Sequence, residues 1–190
     1  MAKEVEVKFQ IADLRALTRA LKRAGFRQVT PSTHEVNALY DLPGQKLRRQ
    51  GQLLRLRKFG DRWVLTHKSK GKAGRHKMRV ELETRVEDGE QIDAILRALG
   101  YAPTFRYEKY RAEWSDGAGH VVVDQTPIGV FGEIEGAPRW IDRTARALGV
   151  TDYITQTYAD LFFGWKRKTR SKAGEMTFRA VGGQKPRRRG

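Results

Sequence analysis

Cysteine is absent from the chain, which excludes disulfide staples, thiolate metal sites and cysteine nucleophiles together. Histidine is sparse and dispersed, at His34, His67, His76 and His120, so no imidazole cluster is available to hold zinc. No apolar run reaches the length of a membrane span or of a secretory signal. The expectation is a protein that enters no membrane and works in a reducing cytoplasm. With 190 residues and 39% hydrophobic content, one domain with its own core is expected.

Charge is what the chain has in excess. The formal net charge is +16, and beyond Trp165 ten Lys or Arg residues face the single Glu175. Residues 166–190 therefore carry +9, and residues 1–164 carry +7. The runs Lys166-Arg167-Lys168-Thr169-Arg170 and Arg187-Arg188-Arg189 lie among Gly, Lys and Pro, with little apolar surface to bury. They read as a mostly disordered basic tail following a domain of residues 1–165. Nucleic acid or another polyanion is the candidate partner of that tail; a solvated chain end is the plainer reading.

Eight stretches alternate apolar with charged or polar residues, at about 4–10, 34–41, 52–59, 62–68, 77–86, 105–115, 119–125 and 129–136, as half-buried strands do. Phe59-Gly60-Asp61 and Ser115-Asp116-Gly117-Ala118-Gly119 read as hairpin turns, and Thr126-Pro127 breaks the run before the last strand; neighbours joined so tightly are antiparallel. Between the strands lie helical stripes: Leu14, Leu17 and Leu21 behind an Asp13 cap; Ile92, Ile95, Leu96 and Leu99; Trp140, Ile141, Ala145 and Leu148; and a last short helix with Tyr158, Leu161 and Phe162. Lys68 to His76 reads as a basic loop that either closes over an anion or is a solvated hairpin tip. The fold class is α+β, a closed eight-stranded antiparallel β-barrel with amphipathic helices packed on its outside.

Closure forces one face of every strand into the lumen. A dry lumen of Val5, Val7, Phe9, Leu54, Leu56, Val80, Leu82 and Ile134 would leave a wall of Glu, Lys and Arg outside. The helices could not bury their stripes against such a wall. The apolar faces must look outward, and the charges inward. By side-chain parity the inward bases are Lys8, Arg55, Arg57, Lys68, Arg79, Lys109 and Arg111, and the inward acids Glu4, Glu6, Glu81, Glu83, Asp124, Glu133 and Glu135. Buried ions left alone cost several kcal/mol each, so a lumen lined this way is a wet tunnel or an ion site.

Carboxylates two residues apart on a strand stand ~6.6 Å apart at the backbone, on one face. Glu4 with Glu6 and Glu133 with Glu135 are such pairs, and all-oxygen donors favour Mg2+ or Mn2+ over zinc. Arg55-Leu56-Arg57 and Lys109-Tyr110-Arg111 each present two cations on one face, suited to phosphate oxygens. Phosphoryl transfer asks mainly for positioning and neutralisation of charge. A lysine crowded by cations can serve as a base; the residues leave open whether Lys8, Lys68 or neither plays that part.

In this order the residues resemble the CYTH superfamily, the triphosphate tunnel metalloenzymes, over residues 4–165. Carrying the resemblance are Glu4-Val5-Glu6-Val7-Lys8, Leu53-Leu54-Arg55-Leu56-Arg57, Trp63-Val64-Leu65-Thr66-His67-Lys68, Arg79-Val80-Glu81-Leu82-Glu83, Lys109-Tyr110-Arg111, Val123-Asp124 and Phe131-Gly132-Glu133-Ile134-Glu135-Gly136. The resemblance implies a triphosphate lying along Lys8, Arg55, Arg57, Lys68, Arg79, Lys109 and Arg111. It also implies a divalent metal at Glu4, Glu6, Asp124, Glu133 and Glu135, with Glu81 and Glu83 as further tunnel acids. Tyr158 and Leu161 look like the family's structural carboxy-terminal helix motif. The expected activity is hydrolysis of tripolyphosphate or of a nucleoside or organic triphosphate, water being the simpler nucleophile to place; the alternatives are cyclisation of ATP to cyclic AMP, and polyphosphate or RNA binding without turnover. Leu53 stands where animal thiamine triphosphatases carry an aromatic platform. Exposed helical faces admit a homodimer.

Overall fold

The computed structural model describes residues 2–71, 77–182 and 185. Its strands are β1 (Ala2–Gln10), β2 (Arg27–Asp41), β3 (Leu53–Phe59), β4 (Arg62–Lys68), β5 (Lys77–Val86), β6 (Ala102–Ser115), β7 (Gly119–Thr126) and β8 (Gly129–Gly136). The helices are α1 (Leu14–Arg23), α2 (Lys46–Arg49), α3 (Gly89–Ala98), α4 (Pro138–Ala147), α5 (Tyr158–Thr169) and α6 (Phe178–Val181). The strands close into one antiparallel barrel in the order β1-β5-β4-β3-β2-β6-β7-β8, with β8 returning to β1. Antiparallel closure is as the alternation and turns foretell. The order adds something local reading does not reach: β1 lies between β5 and β8, so Glu6 of the first strand stands beside Glu135 of the last.

Strand β2 begins at Arg27, well before the alternating stretch that starts at 34, and pairs with β6 through register shifts between Gln28 and Thr30 and between Thr30 and Thr33. Thr30-Pro31-Ser32-Thr33 has no alternation to read; bulges carry it past the ladder.

Helix α1 starts where the Asp13 carboxylate accepts from the Arg15 and Ala16 amides at 2.8 and 3.0 Å. It buries Leu17 and Leu21, and α4 buries Trp140 and Ile141, all against Val7, Phe9, Trp114, Val121 and Ile134 of the barrel's outer face. Trp140 lies flat on the wall because Gly119 faces it: a Cβ there would sit 2.5 Å from the ring. A second cluster joins Leu96 of α3 to Tyr40 and Leu56. Only part of the stripe expected of α3 is covered, since Ile95 and Leu99 are exposed; the helix rests on the wall along one edge. No helix among the described residues is long and apolar enough to cross a membrane.

One end of the lumen is plugged. Phe105 and Tyr107 share the inward parity of Lys109, and Phe131 that of Glu133. At that end Tyr158 and Phe162 of α5 pack on them, with Met176 fully buried beside them. The tunnel is thus dry at the α5 end and charged further along. This corrects the reading of a disordered tail from residue 166. Helix α5 runs on to Thr169, and the chain returns to β6, where the Met176 amide donates to the Arg106 carbonyl and Met176 accepts from the Glu108 amide, both at 3.0 Å. The Phe178 amide then donates to Glu108 Oε1 at 2.6 Å. Few apolar residues mark this segment in sequence, and an edge of β6 not taken by β7 supplies what they bury against. Met176→Ala is expected to destabilise the protein by about 2–5 kcal/mol in denaturant unfolding. A disordered tail would give no change.

Candidate active site

The inward faces line a cavity of about 900 Å³ that runs from Tyr158 and Ala159 at the first turn of α5 to Gly117, Ala118 and Gly119 in the β6–β7 turn. Among its lining residues are Glu6 and Lys8 of β1, Arg55 and Arg57 of β3, Lys68 of β4, Arg79, Glu81 and Glu83 of β5, Lys109 and Arg111 of β6, and Glu133 and Glu135 of β8. Barrel closure brings the sequence-distant set together by register: Glu6 is paired with Glu135 and Lys8 with Glu133 across β1 and β8.

On that side Glu6, Glu133 and Glu135 each offer a carboxylate oxygen within 4.8 Å of the others. Glu6 and Glu133 are buried and Glu135 partly so, and three carboxylates gathered so closely call for a cation. Lys8 supplies part of that charge, its Nζ 3.1 Å from Glu133 Oε1, and Arg111 another part, 2.6 Å from Oε2. Burial opposes the ionised form of Glu133, but Lys8 and Arg111 outweigh it and hold the carboxyl well below the usual range. Burial likewise works against the Lys8 ammonium, and Glu133 with Glu6 outweighs it, so the Lys8 pKa is raised. As positioned, Lys8 is a cation and a poor base.

Asp124 stands apart from the three glutamates and is fully buried. It accepts from Lys109 Nζ at 2.8 Å, from Arg111 Nε and NH2 at 2.8 and 2.7 Å, and from the Tyr158 hydroxyl at 2.7 Å. With donors on both oxygens it anchors bases, where the resemblance implies a metal ligand. Besides donating to Asp124, Tyr158 places its ring under the Lys8 ammonium, 4.1 Å from the centroid, and near that of Lys109 at 4.9 Å. Burial, then Asp124, pushes the phenol well up, which keeps it a donor.

Across the lumen the bases meet acids of β5. Arg57 NH2 donates to both oxygens of Glu83 at 3.2 and 3.1 Å, and Lys68 Nζ lies 3.1 Å from Glu81. Arg55 sits 3.8 Å from Glu81 and donates to Thr66 at 3.3 Å. Burial and then Arg55 lower the Arg57 pKa, a sign of cations crowded together. The Nε atoms of Arg55, Arg57 and Arg79 are buried with no hydrogen-bond partner among the described residues. Unpaired guanidinium donors beside a polar cavity suit an anion.

Glu35 is a buried acid of this charge network that sequence reading missed. It is fully buried on β2, accepts from Asn37 Nδ2 at 2.9 Å, and lies 3.4 Å from Lys109 Nζ and 3.9 Å from both Arg57 and Arg111. Its signal was present in Glu35-Val36-Asn37, whose alternation sets both polar side chains on one strand face. Burial raises its pKa, but Lys109, Arg111 and Arg57 prevail and hold it at about 2. The sign follows from linkage: a depressed carboxyl stabilises the fold above the unfolded-state value, and that contribution is lost as pH falls from about 4.5 toward about 2. The loss is on the order of 3 kcal/mol. Unfolding followed from pH 6 to pH 2 should show Glu35→Gln losing markedly less stability with acid than the parent. Parallel curves would contradict it.

Of the residues named from sequence, Glu6, Lys8, Arg55, Arg57, Lys68, Arg79, Glu81, Glu83, Lys109, Arg111, Glu133 and Glu135 line the cavity, and Asp124 is held behind it. The Glu4 side chain lies outside the described residues, although its backbone pairs with Arg79 in β1 and β5. Residues 72–76 of the basic loop lie outside them too.

Comparison with known proteins places the chain among relatives. The sequence model of the CYTH domain matches residues 2–142. A Methanocaldococcus jannaschii protein whose name proposes an adenylate cyclase is 26% identical over 133 residues, 70% of this chain and 75% of that one. A Vibrio parahaemolyticus structure, also named as a proposed adenylate cyclase, superposes with a TM-score of 0.74 at 20% identity, covering 84% of this chain and 97% of its own. A Hippeastrum protein described as an adenylyl cyclase candidate with a dominant triphosphatase activity gives 0.64 at 16% identity, covering 85% and 95%.

Proposed function

The chain belongs to the CYTH domain family, and on that footing we propose that it hydrolyses a small molecule bearing a triphosphate, either inorganic tripolyphosphate or a nucleoside or organic triphosphate, with Mg2+ or Mn2+. One observation carries the reading: three carboxylates within 4.8 Å of one another share a cavity with three guanidinium groups whose Nε atoms lack hydrogen-bond partners among the described residues. Cation-seeking and anion-seeking groups side by side fit a metal–polyphosphate better than either ion alone.

Glu6, Glu133 and Glu135 would hold the divalent cation, their oxygen-only donor set fitting Mg2+ or Mn2+. Bound there, the cation supplies charge neutralisation and polarisation of a phosphate oxygen. Arg55, Arg57, Arg79, Lys109 and Arg111 bind and align the phosphates; Lys8 and Lys68 add charge at the two sides. Asp124 and Glu35 keep Lys109 and Arg111 extended toward the lumen, so little reorganisation accompanies binding. Lys8 and Lys68 each stand 3.1 Å from a carboxylate, of Glu133 and Glu81, and neither is assigned as the base. In the Hippeastrum protein the same fold carries a dominant triphosphatase activity, which supports hydrolysis.

Cyclisation of ATP is the second reading, favoured by the name of the Methanocaldococcus relative. The two part on product. Purified protein is incubated with tripolyphosphate, ATP or thiamine triphosphate, each with Mg2+ or Mn2+. Orthophosphate release supports hydrolysis, and cyclic AMP with pyrophosphate supports cyclisation. Neither product from any of the three substrates would overturn the assignment.

A further inference from the structure

The outer side of α5 has no part in the tunnel. Its inner side plugs the barrel with Tyr158 and Phe162, while Asp160, Phe163 and Arg167 are exposed at spacings of three and four residues, which sets them along one helical stripe. Asp160, the acid in the first turn of α5, is already engaged: it accepts from Thr157 and lies 3.5 Å from Arg48 of α2. That ion pair fixes α2 beside the stripe, where Lys46 and Arg49 are also exposed. At the other end of α5 the stripe runs into exposed Lys168 and Lys172. Glu175, the single acid beyond Trp165, faces Arg106 at 3.9 Å. The result is an exposed face with cations toward both ends of α5, its acids paired, and one phenyl ring, 37% exposed, between them.

We propose that this face of α2 and α5 binds single-stranded nucleic acid, with phosphates along the Lys and Arg side chains and a base stacked on Phe163. The chemistry separates this occupant from others. A solvated face needs no exposed aromatic among its charges. A membrane-surface helix needs a broad apolar stripe toward the lipid, whereas the apolar side of α5 is spent on the barrel plug. A single strand offers both a phosphate every few ångström and a flat base free to stack, and cations interleaved with an aromatic match that pair of features. The surface lies behind the plug, so the inference does not depend on what the tunnel binds.

The test follows binding of a fluorescent 20-nucleotide oligothymidylate to the full chain by polarisation across NaCl concentrations. Binding is expected to weaken with salt at a slope near −0.7 per phosphate neutralised, and Arg167→Gln with Lys168→Gln, which removes two cations, should reduce the slope by about 1.4. Phe163→Ala should weaken binding about 5- to 100-fold. Phe163→Leu, which keeps the packing on Phe105 and Phe162, should weaken it similarly while melting like the parent, so a stacking loss is told from misfolding. Arg57→Gln, inside the tunnel, should bind the oligonucleotide as the parent does. The proposal is overturned if Phe163→Leu binds normally, if the slope ignores Arg167 and Lys168, if Arg57→Gln loses binding, or if duplex DNA or phosphatidylglycerol vesicles bind more tightly than the single strand.

Discussion

Glu6→Gln is expected to lower metal-dependent turnover about 100- to 1,000-fold while leaving the fold intact. The reason is local. Glu6 is buried against β8, with carboxylate oxygens of Glu133 and Glu135 within 4.8 Å, so an amide of the same shape removes one of three charges that a divalent cation would neutralise. It also relieves repulsion among the remaining two, and the melting temperature in EDTA should stay level or rise. Two measurements check this: Mn2+ binding by calorimetry, expected to weaken in the variant, and product formation against Mn2+ concentration, expected to fall at saturating metal. Unchanged Mn2+ affinity with unchanged turnover would sink the carboxylate site. Weaker metal binding with full turnover would separate the site from the chemistry.

Asp124→Ala should be the most damaging single change to stability, costing about 3–5 kcal/mol. Lys109 and Asp124 are 2% and 0% exposed at their side chains, and the carboxylate receives Lys109, Arg111 and Tyr158 at once. Removing it leaves a buried ammonium and guanidinium with Glu35 and Glu133 as their remaining acids. The loss arises from stranded cations rather than from missing contacts, so Lys109→Met added to Asp124→Ala should recover part of the stability, and the double-mutant cycle should be strongly non-additive. Denaturant midpoints of the four proteins decide it. A loss below about 1 kcal/mol, or plain additivity, would mean that Asp124 does not anchor the wall.

Much of the barrel was legible because period-two alternation is a local signal that survives any tertiary arrangement. Arg55-Leu56-Arg57, Arg79-Val80-Glu81-Leu82-Glu83 and Glu133-Ile134-Glu135 carry that signal without interruption, and their strands lie where it puts them. Where the pattern lapses, so does the reading: the first half of β2 passes through Pro31 on bulges, and Met176 and Phe178 are isolated apolar residues in a basic run, buried by an edge of β6. Glu35 was inside a correctly read strand but drew no notice, because a lone acid beside Asn37 resembles ordinary surface until its neighbours are known. Asp124 shows the converse. Its inward parity was readable, but which charges it would meet depended on Tyr158 arriving from α5.

From the sequence alone came the strand faces and hence the sign of most inward charges, since side-chain direction along a strand is fixed by backbone geometry. The helical stripes then dictated that those charges face the lumen. Tertiary structure alone decided which acids gather, which bases each acid holds, and where the tunnel ends. Those outcomes depend on the order of strands around the barrel and on the docking of α5, and both join residues far apart in the chain by contacts that no local pattern encodes.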